Sequence, residues 1–125
     1  MAILTVDDST TIRRIVKRSV DEMGVEILEA ADGASALKII EERTSDIQLV
    51  LLDWNMPGMT GLEVLKVIKA NPAYKDIVVM MLTSEADQSF VVEALKAGAQ
   101  NYLTKPFDAK MLTLKIQESM TMTKA

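Results

Sequence analysis

Short hydrophobic runs alternate along the chain with longer segments of mixed polarity. The runs span residues 2–6, 25–28, 47–52, 77–82 and 102–103. Between them, apolar residues recur at intervals of three or four, which is the spacing of one face of a helix. The pattern predicts an α/β fold in which strands alternate with helices and form a parallel sheet.

Two of these runs are apolar throughout. Residues 49–52 read Leu-Val-Leu-Leu, and residues 77–82 read Ile-Val-Val-Met-Met-Leu. A strand without polar alternation is typical of a parallel sheet that helices cover on both faces. We therefore expect these two runs to form the middle strands.

Polar residues and glycines mark where the helices begin and end. A side-chain oxygen just before a helix can accept a hydrogen bond from its first amides, and glycine or Asn-Pro commonly follows its end. The predicted starts are at Ser9 or Thr10, Asp32, Thr60 and Asp108, and the predicted stops are at Gly24, Asn71-Pro72 and Gly98. The first helix has an apolar stripe typical of a core-facing surface, formed by Ile12, Ile15, Val16, Val20 and Met23.

Composition excludes several kinds of chemistry. The 125 residues suit a single domain over 1–125, and a net charge of -4 disfavours nucleic-acid binding. The absence of cysteine and histidine excludes disulfides, thiolate chemistry and imidazole ligands. Neither a leader segment nor a membrane-spanning run is evident, so we expect a cytoplasmic protein that binds no membrane. We also expect the protein to be a monomer.

Chemically active side chains follow four of the predicted strands. Asp7 and Asp8 come after the first, Asp53 after the third, Thr83 after the fourth and Lys105 after the fifth. Parallel strands end at one edge of their sheet, where open α/β sheets bind ligands. Three adjacent carboxylates repel one another unless a cation compensates, and oxygen ligands at a shallow rim suit Mg²⁺ better than Ca²⁺. Together with the lysine and the hydroxyl, this set fits a phosphoryl-transfer site.

Three further features have a simple structural interpretation. The basic residues of the first helix are expected to form a solvated face. In the fourth helix, consecutive apolar residues point about 100° apart, so at least one should face solvent or a partner. The nine methionines are expected mostly in the core, and Trp54 is expected to shield the rim. The basic residues are Arg13, Arg14, Lys17 and Arg18, and the consecutive apolar residues are Phe90, Val91 and Val92.

The ordered set Asp7-Asp8, Asp53, Thr83 and Lys105-Pro106 resembles the pattern of response-regulator receiver domains over nearly the whole chain. It is most similar to the chemotaxis regulators, through residues 9–16, the Trp-Asn-Met-Pro segment at 54–57, Glu85 and Tyr102. The resemblance implies a doubly wound, flavodoxin-like sheet with strand order 2-1-3-4-5, flanked by five helices. It also implies a cis peptide bond between Lys105 and Pro106.

The resemblance further implies how the carboxylates act. Asp53 would be the phosphoacceptor. Asp8, Asp53 and the main-chain carbonyl of Asn55 would bind Mg²⁺, and Asp7 would contribute through a metal-bound water.

Other site residues would respond to the phosphoryl group. Thr83 and Lys105 would bind its oxygens, and Tyr102 would turn inward when Thr83 is drawn to the phosphate. Asn55 and Glu85 would set how fast the acyl phosphate hydrolyses.

The leading hypothesis is a stand-alone response regulator of a bacterial two-component phosphorelay. A histidine kinase would donate the phosphoryl group, and the switched state would bind a target, with a flagellar motor switch protein as the candidate in chemotaxis and a phosphatase as a further candidate partner. The only reactions expected are self-directed phosphoryl transfer and autodephosphorylation.

Three alternatives remain open at this point. The chain could be a phosphate sink or shuttle in a relay unrelated to motility, or a phosphate-independent adaptor. It could also be a phosphatase of the haloacid dehalogenase type. Asn55 argues against the phosphatase, because an amide cannot supply a proton to a leaving group.

Overall fold

The computed structural model describes residues 1–123, so the last two residues of the predicted domain 1–125 lie outside the described chain. Five parallel strands form one sheet in the order β2-β1-β3-β4-β5. This result confirms the predicted fold and strand order. The strands are β1 (Ala2–Val6), β2 (Glu26–Ala30), β3 (Ile47–Leu52), β4 (Val78–Thr83) and β5 (Asn101–Thr104).

Helices connect the strands in the predicted alternation. They are α1 (Thr10–Asp21), α2 (Gly33–Glu42), α3 (Gly61–Ala70), α4 (Gln88–Lys96) and α5 (Ala109–Thr121), with a short 3₁₀ turn at Pro72–Tyr74. Within the described chain, none of the helices combines the length and apolarity needed to cross a membrane.

The predicted helix caps are present. Ser9, rather than Thr10, caps α1 by accepting a hydrogen bond from the Ile12 amide at 3.2 Å. Thr60 and Glu63 form a reciprocal capping box at the start of α3. Asp32 and Asp108 cap α2 and α5 in the same way as Ser9. After α1 and α4, the chain leaves through Gly24 and Gly98, whose positive φ angles favour glycine.

Hydrophobic residues cover both faces of the sheet. Side chains from α1 and α5 pack on one face, around Val16, Leu49 and Ile116. Side chains from α2, α3 and α4 pack on the other, around Leu4, Val50 and Leu65. Every residue of β1 and β4 is buried, and β3 lies at the centre of the sheet, so the predicted placement of β3 and β4 in the middle is confirmed.

Some exposed positions differ from the prediction. Ile15 belongs to the apolar stripe of α1 but is 36% exposed. Its position at the edge of the stripe turns it towards a surface groove beside Phe107 instead of the sheet. Three methionines are exposed, namely Met1, Met111 and Met122, so the core prediction for this residue type holds only in part. Val92 is exposed, as the pattern of α4 predicted.

Candidate functional site

The predicted site residues lie at the carboxyl-terminal edge of the sheet. Main-chain hydrogen bonds between neighbouring strands continue for one residue past the strand ends and hold them there. The amide of Asp53 donates to the carbonyl of Val6 at 3.0 Å, and the amide of Lys105 donates to the carbonyl of Thr83 at 2.8 Å. Likewise, the amide of Asp7 donates to the carbonyl of Ala30 at 3.0 Å. Main-chain hydrogen bonds thus set the positions of these functional residues.

Three carboxylates converge at this edge. Asp7, Asp8 and Asp53 each offer an oxygen within 4.8 Å of the others. Asp7 and Asp53 are 2% and 5% exposed, whereas Asp8 is open to solvent. Carboxylate oxygens are the donors that a hard divalent cation prefers, and the open side leaves room for metal-bound water. The residues therefore fit the metal ion that the resemblance implies.

Lys105 supplies the positive charge within the cluster. Its Nζ lies 2.7 Å from Oδ2 of Asp7 and 3.1 Å from Oδ2 of Asp53. Burial raises the pKa of the Asp7 carboxyl, and the hydrogen bond from Lys105 opposes that rise. Burial alone would lower the pKa of Lys105, but its hydrogen bond to Asp7 and the charge of Asp53 raise it overall. Lys105 is therefore charged at neutral pH. The peptide bond to Pro106 is cis, as the resemblance implied.

Glu85 connects three other predicted site residues. Its amide donates to Oγ1 of the fully buried Thr83 at 3.3 Å, and its carbonyl accepts from the Tyr102 hydroxyl at 2.5 Å. Its carboxylate accepts from the side-chain amide of Asn55 at 2.8 Å. The amide of Asn55 in turn donates to Oδ1 of Asp53 at 3.3 Å. Glu85 thus links the loop that contains Asn55 to Thr83 on β4 and Tyr102 on β5.

Arg13 corrects one prediction about the basic face of α1. Its Nη1 donates to the main-chain carbonyl of Asp7 at 2.6 Å, and its Nε donates to Glu29 at 3.2 Å. Only 17% of its side chain is exposed, because it lies across the ends of β1 and β2. Arg14 and Lys17 are exposed, as predicted. Sequence spacing gave no signal that separates Arg13 from these neighbours.

Gly61 was also missed. A Cβ atom at this position would lie 2.8 Å from the carbonyl carbon of Asp53 and closer still to its oxygen, and the Gly61 amide donates to the carbonyl of Trp54 at 2.9 Å. The start of α3 therefore packs directly against the main chain of Asp53, and only glycine allows this close approach. Trp54 is buried rather than shielding the rim, and its ring meets Phe90 edge to face at 4.9 Å.

Comparisons with known proteins agree with this geometry. Residues 3–117 match the family model described as the response regulator receiver domain. The chain belongs to this family, the receiver modules of two-component response regulators. This match favours a signalling switch over the haloacid dehalogenase type of phosphatase.

Individual relatives are chemotaxis proteins. The chain is 40% identical to a chemotaxis protein CheY homolog of Campylobacter jejuni, covering 94% of this chain and 91% of that protein. It is also 40% identical to the chemotaxis protein CheY of Pseudomonas aeruginosa, covering 94% of both. The solved structure of chemotaxis protein CheY4 of Vibrio cholerae is 34% identical and has a TM-score of 0.86, covering 94% of this chain and 97% of that one.

Proposed function

We propose that Asp53 accepts a phosphoryl group and that the chain is a phosphorylation-controlled switch. The observation that carries this proposal is the position of the Lys105 ammonium, 3.1 Å from Asp53, beside the carboxylates of Asp7 and Asp8. The acceptor carboxylate thus contacts a fixed cation, which it shares with Asp7, and it lies beside oxygens that could bind a metal ion. Phosphoryl transfer needs this alignment and charge neutralisation more than it needs acid–base groups.

In the transfer step, a carboxylate oxygen of Asp53 forms a bond to phosphorus while the bond from phosphorus to the donor breaks. For a phosphohistidine donor, the leaving group is the imidazole nitrogen, which takes the electron pair of the broken bond. Lys105 pairs with one phosphoryl oxygen, and the Thr83 hydroxyl can donate to another.

The residues that would hold Mg²⁺ are Asp8, Asp53 and the main-chain carbonyl of Asn55, with Asp7 acting through a water molecule. The metal ion, when bound, supplies charge neutralisation for the phosphoryl oxygens. Removal of the ion would leave Lys105 as the principal positive charge among these residues.

The conformational response follows from the contacts of Glu85. A Thr83 hydroxyl that turns to a phosphoryl oxygen gives up its bond from the Glu85 amide. The Glu85 carbonyl holds the Tyr102 hydroxyl, so a shift of this segment changes the position of that ring. Phosphorylation would then shift a pre-existing equilibrium in proportion to the target's preference for one state.

The pathway we propose is chemotaxis, because relatives with that printed function match the chain over 94% of its length. The donor would be a histidine kinase, the target a flagellar motor switch protein, and autodephosphorylation would be tuned by Asn55 and Glu85. A dedicated phosphatase is a further proposed partner.

Trp54 offers a direct test, since it adjoins the acceptor residue and is the only tryptophan in the sequence. Adding Mg²⁺ to the full chain should change its fluorescence, and beryllofluoride, a phosphoryl analogue, should change it further. Asp53→Asn serves as the control and should abolish the beryllofluoride response. A wild-type chain that responds to neither reagent would contradict the proposal.

A further inference from the structure

Arg13 holds the segment after β1 through the main chain of Asp7. One arm of its guanidinium donates to the carbonyl of Asp7 at 2.6 Å, and Nε pairs with Glu29 on β2 at 3.2 Å. A guanidinium has several donors in a rigid plane, so it can hold two partners on different elements at once. The side chain therefore ties the end of β1 to the neighbouring edge strand.

The other polar groups of Asp7 also have defined partners. Its amide donates to Ala30 at 3.0 Å, Oδ1 accepts from the Ser9 amide at 2.9 Å, and Oδ2 accepts from Lys105 at 2.7 Å. Asp7 is 2% exposed, so bulk water cannot easily replace the donor of its carbonyl. A buried carbonyl that loses its hydrogen-bond donor is destabilised by its desolvation free energy. The local main chain is then expected to move so that the carbonyl finds another donor.

We infer that Arg13 is a positioning residue for the cation site. Its hydrogen bonds go to the Asp7 carbonyl and to Glu29 rather than to the side chains of Asp7 and Asp8, and they set the main-chain position from which those two carboxylates project. This inference rests on the proposed function and deepens it. Arg13 would hold the metal donors in their binding positions in the metal-free protein. Outer partners of metal ligands commonly act in this way.

Charge and positioning predict opposite results at this residue. A guanidinium near a cation site repels the cation, so its charge alone would weaken Mg²⁺ binding and its removal would strengthen it. Loss of a positioning contact would instead weaken Mg²⁺ binding. The sign of the change therefore separates the two roles.

The test is a Mg²⁺ titration of the full chain, followed by Trp54 fluorescence. Arg13→Ala should raise the dissociation constant about tenfold, the lower end of the range for outer partners of metal ligands. Arg13→Lys keeps the charge but loses the planar set of donors that reaches two partners. This variant should therefore still bind Mg²⁺ more weakly than wild type. Arg14→Ala removes the same charge from the exposed neighbouring position and should change the constant by less than about twofold, because salt screens surface charges.

Two further measurements exclude a general loss of structure. At saturating Mg²⁺, Arg13→Ala should still be phosphorylated by a small acyl phosphate, which a misfolded chain would not be. Urea unfolding reports whether the variant is folded; if Arg13→Ala is not, Arg13→Lys decides.

Each outcome has a defined meaning. Equal or tighter Mg²⁺ binding by the folded Arg13 variant overturns the inference while leaving the proposed function intact. A wild-type chain that binds no Mg²⁺ overturns the proposed function and the inference with it.

Discussion

The side-chain amide of Asn55 donates a hydrogen bond to the carboxylate of Glu85 across 2.8 Å, although the two residues are 30 positions apart. Asn55 lies in the loop after β3, and Glu85 lies in the loop after β4. It links the loop that follows Asp53 to Glu85, whose carbonyl accepts a hydrogen bond from the Tyr102 hydroxyl.

This bond predicts that the two residues do not act independently on dephosphorylation. Asn55→Ala and Glu85→Ala each remove the same contact, so the double variant should change the decay rate of phosphorylated Asp53 by less than the sum of the two. We expect a coupling of about 1 kcal/mol, or roughly fivefold in rate. Decay of the phosphorylated species in the four proteins measures it, with Ser84→Ala as an exposed control. Additive effects would refute a shared role.

Lys105 should stabilise the metal-free fold. Lys105→Ala leaves the buried carboxylates of Asp7 and Asp53 without their cation. Because the Lys105 side chain is partly exposed, we expect a loss of about 3 kcal/mol in the free energy of unfolding, the lower end of the range for a broken buried pair. Mg²⁺ should restore part of this loss, because it compensates the same charges. Urea unfolding with and without Mg²⁺ measures both effects, and the exposed Lys110→Ala is the control. Equal stability of Lys105→Ala and wild type without metal would show that the pair contributes nothing net.

The phenol of Tyr102 provides a test at high pH. Burial, together with the negative charges of Glu85 and Asp53, raises the pKa of Tyr102 from 10.0 to about 12. The folded protein thus favours the neutral phenol, so this contribution to stability is complete below pH 10 and is lost as pH rises towards 12. Absorbance titration of Tyr74→Phe, which leaves Tyr102 as the remaining tyrosine, should show the high value.

The same contribution should appear in unfolding. Between pH 10 and 12, wild-type stability should fall more steeply than that of Tyr102→Phe, which has no phenol to titrate. A Tyr102 phenol whose pKa is the ordinary 10.0 would mean that the ring is not buried beside Glu85 and Asp53 in solution.

Gly61→Ala tests the close approach of α3 to the acceptor loop. The added methyl would lie 2.8 Å from the Asp53 carbonyl carbon and closer still to its oxygen, so the backbone must shift. We expect a loss of about 2 kcal/mol in unfolding free energy and slower phosphorylation. Gly33→Ala is the comparison, since its methyl would meet the side chains of Val64 and Met59 rather than backbone. If Gly61→Ala is the milder of the two variants, the backbone contact does not constrain the loop.

The sequence predicts the parts of the site that depend on local rules. Asp7, Asp53 and Lys105 follow strands, and parallel strands must end at one edge, so the order of residues along the chain is enough to predict their convergence. The caps at Ser9, Thr60 and Asp108 depend on a side chain and an amide only three residues away.

The remaining contacts depend on how distant elements pack. Arg13 and Arg14 look alike in sequence, and only the ends of β1 and β2 distinguish them by giving Arg13 two partners. The bond between Asn55 and Glu85 requires two loops in one relative position. Ile15 belongs to the apolar stripe of α1, but the part of the helix that packs on the sheet is narrower than this stripe and leaves Ile15 exposed.

Phosphorylation of Asp53 is tested most directly by the intact mass of the chain after incubation with Mg²⁺ and a small acyl phosphate. Wild type should gain one phosphoryl group, Asp53→Asn should gain none, and a chelator added before the donor should prevent the gain. An equal gain by Asp53→Asn would place the phosphoryl group elsewhere. A wild type with no gain in mass and no Trp54 response to beryllofluoride would contradict the phosphoacceptor role of Asp53.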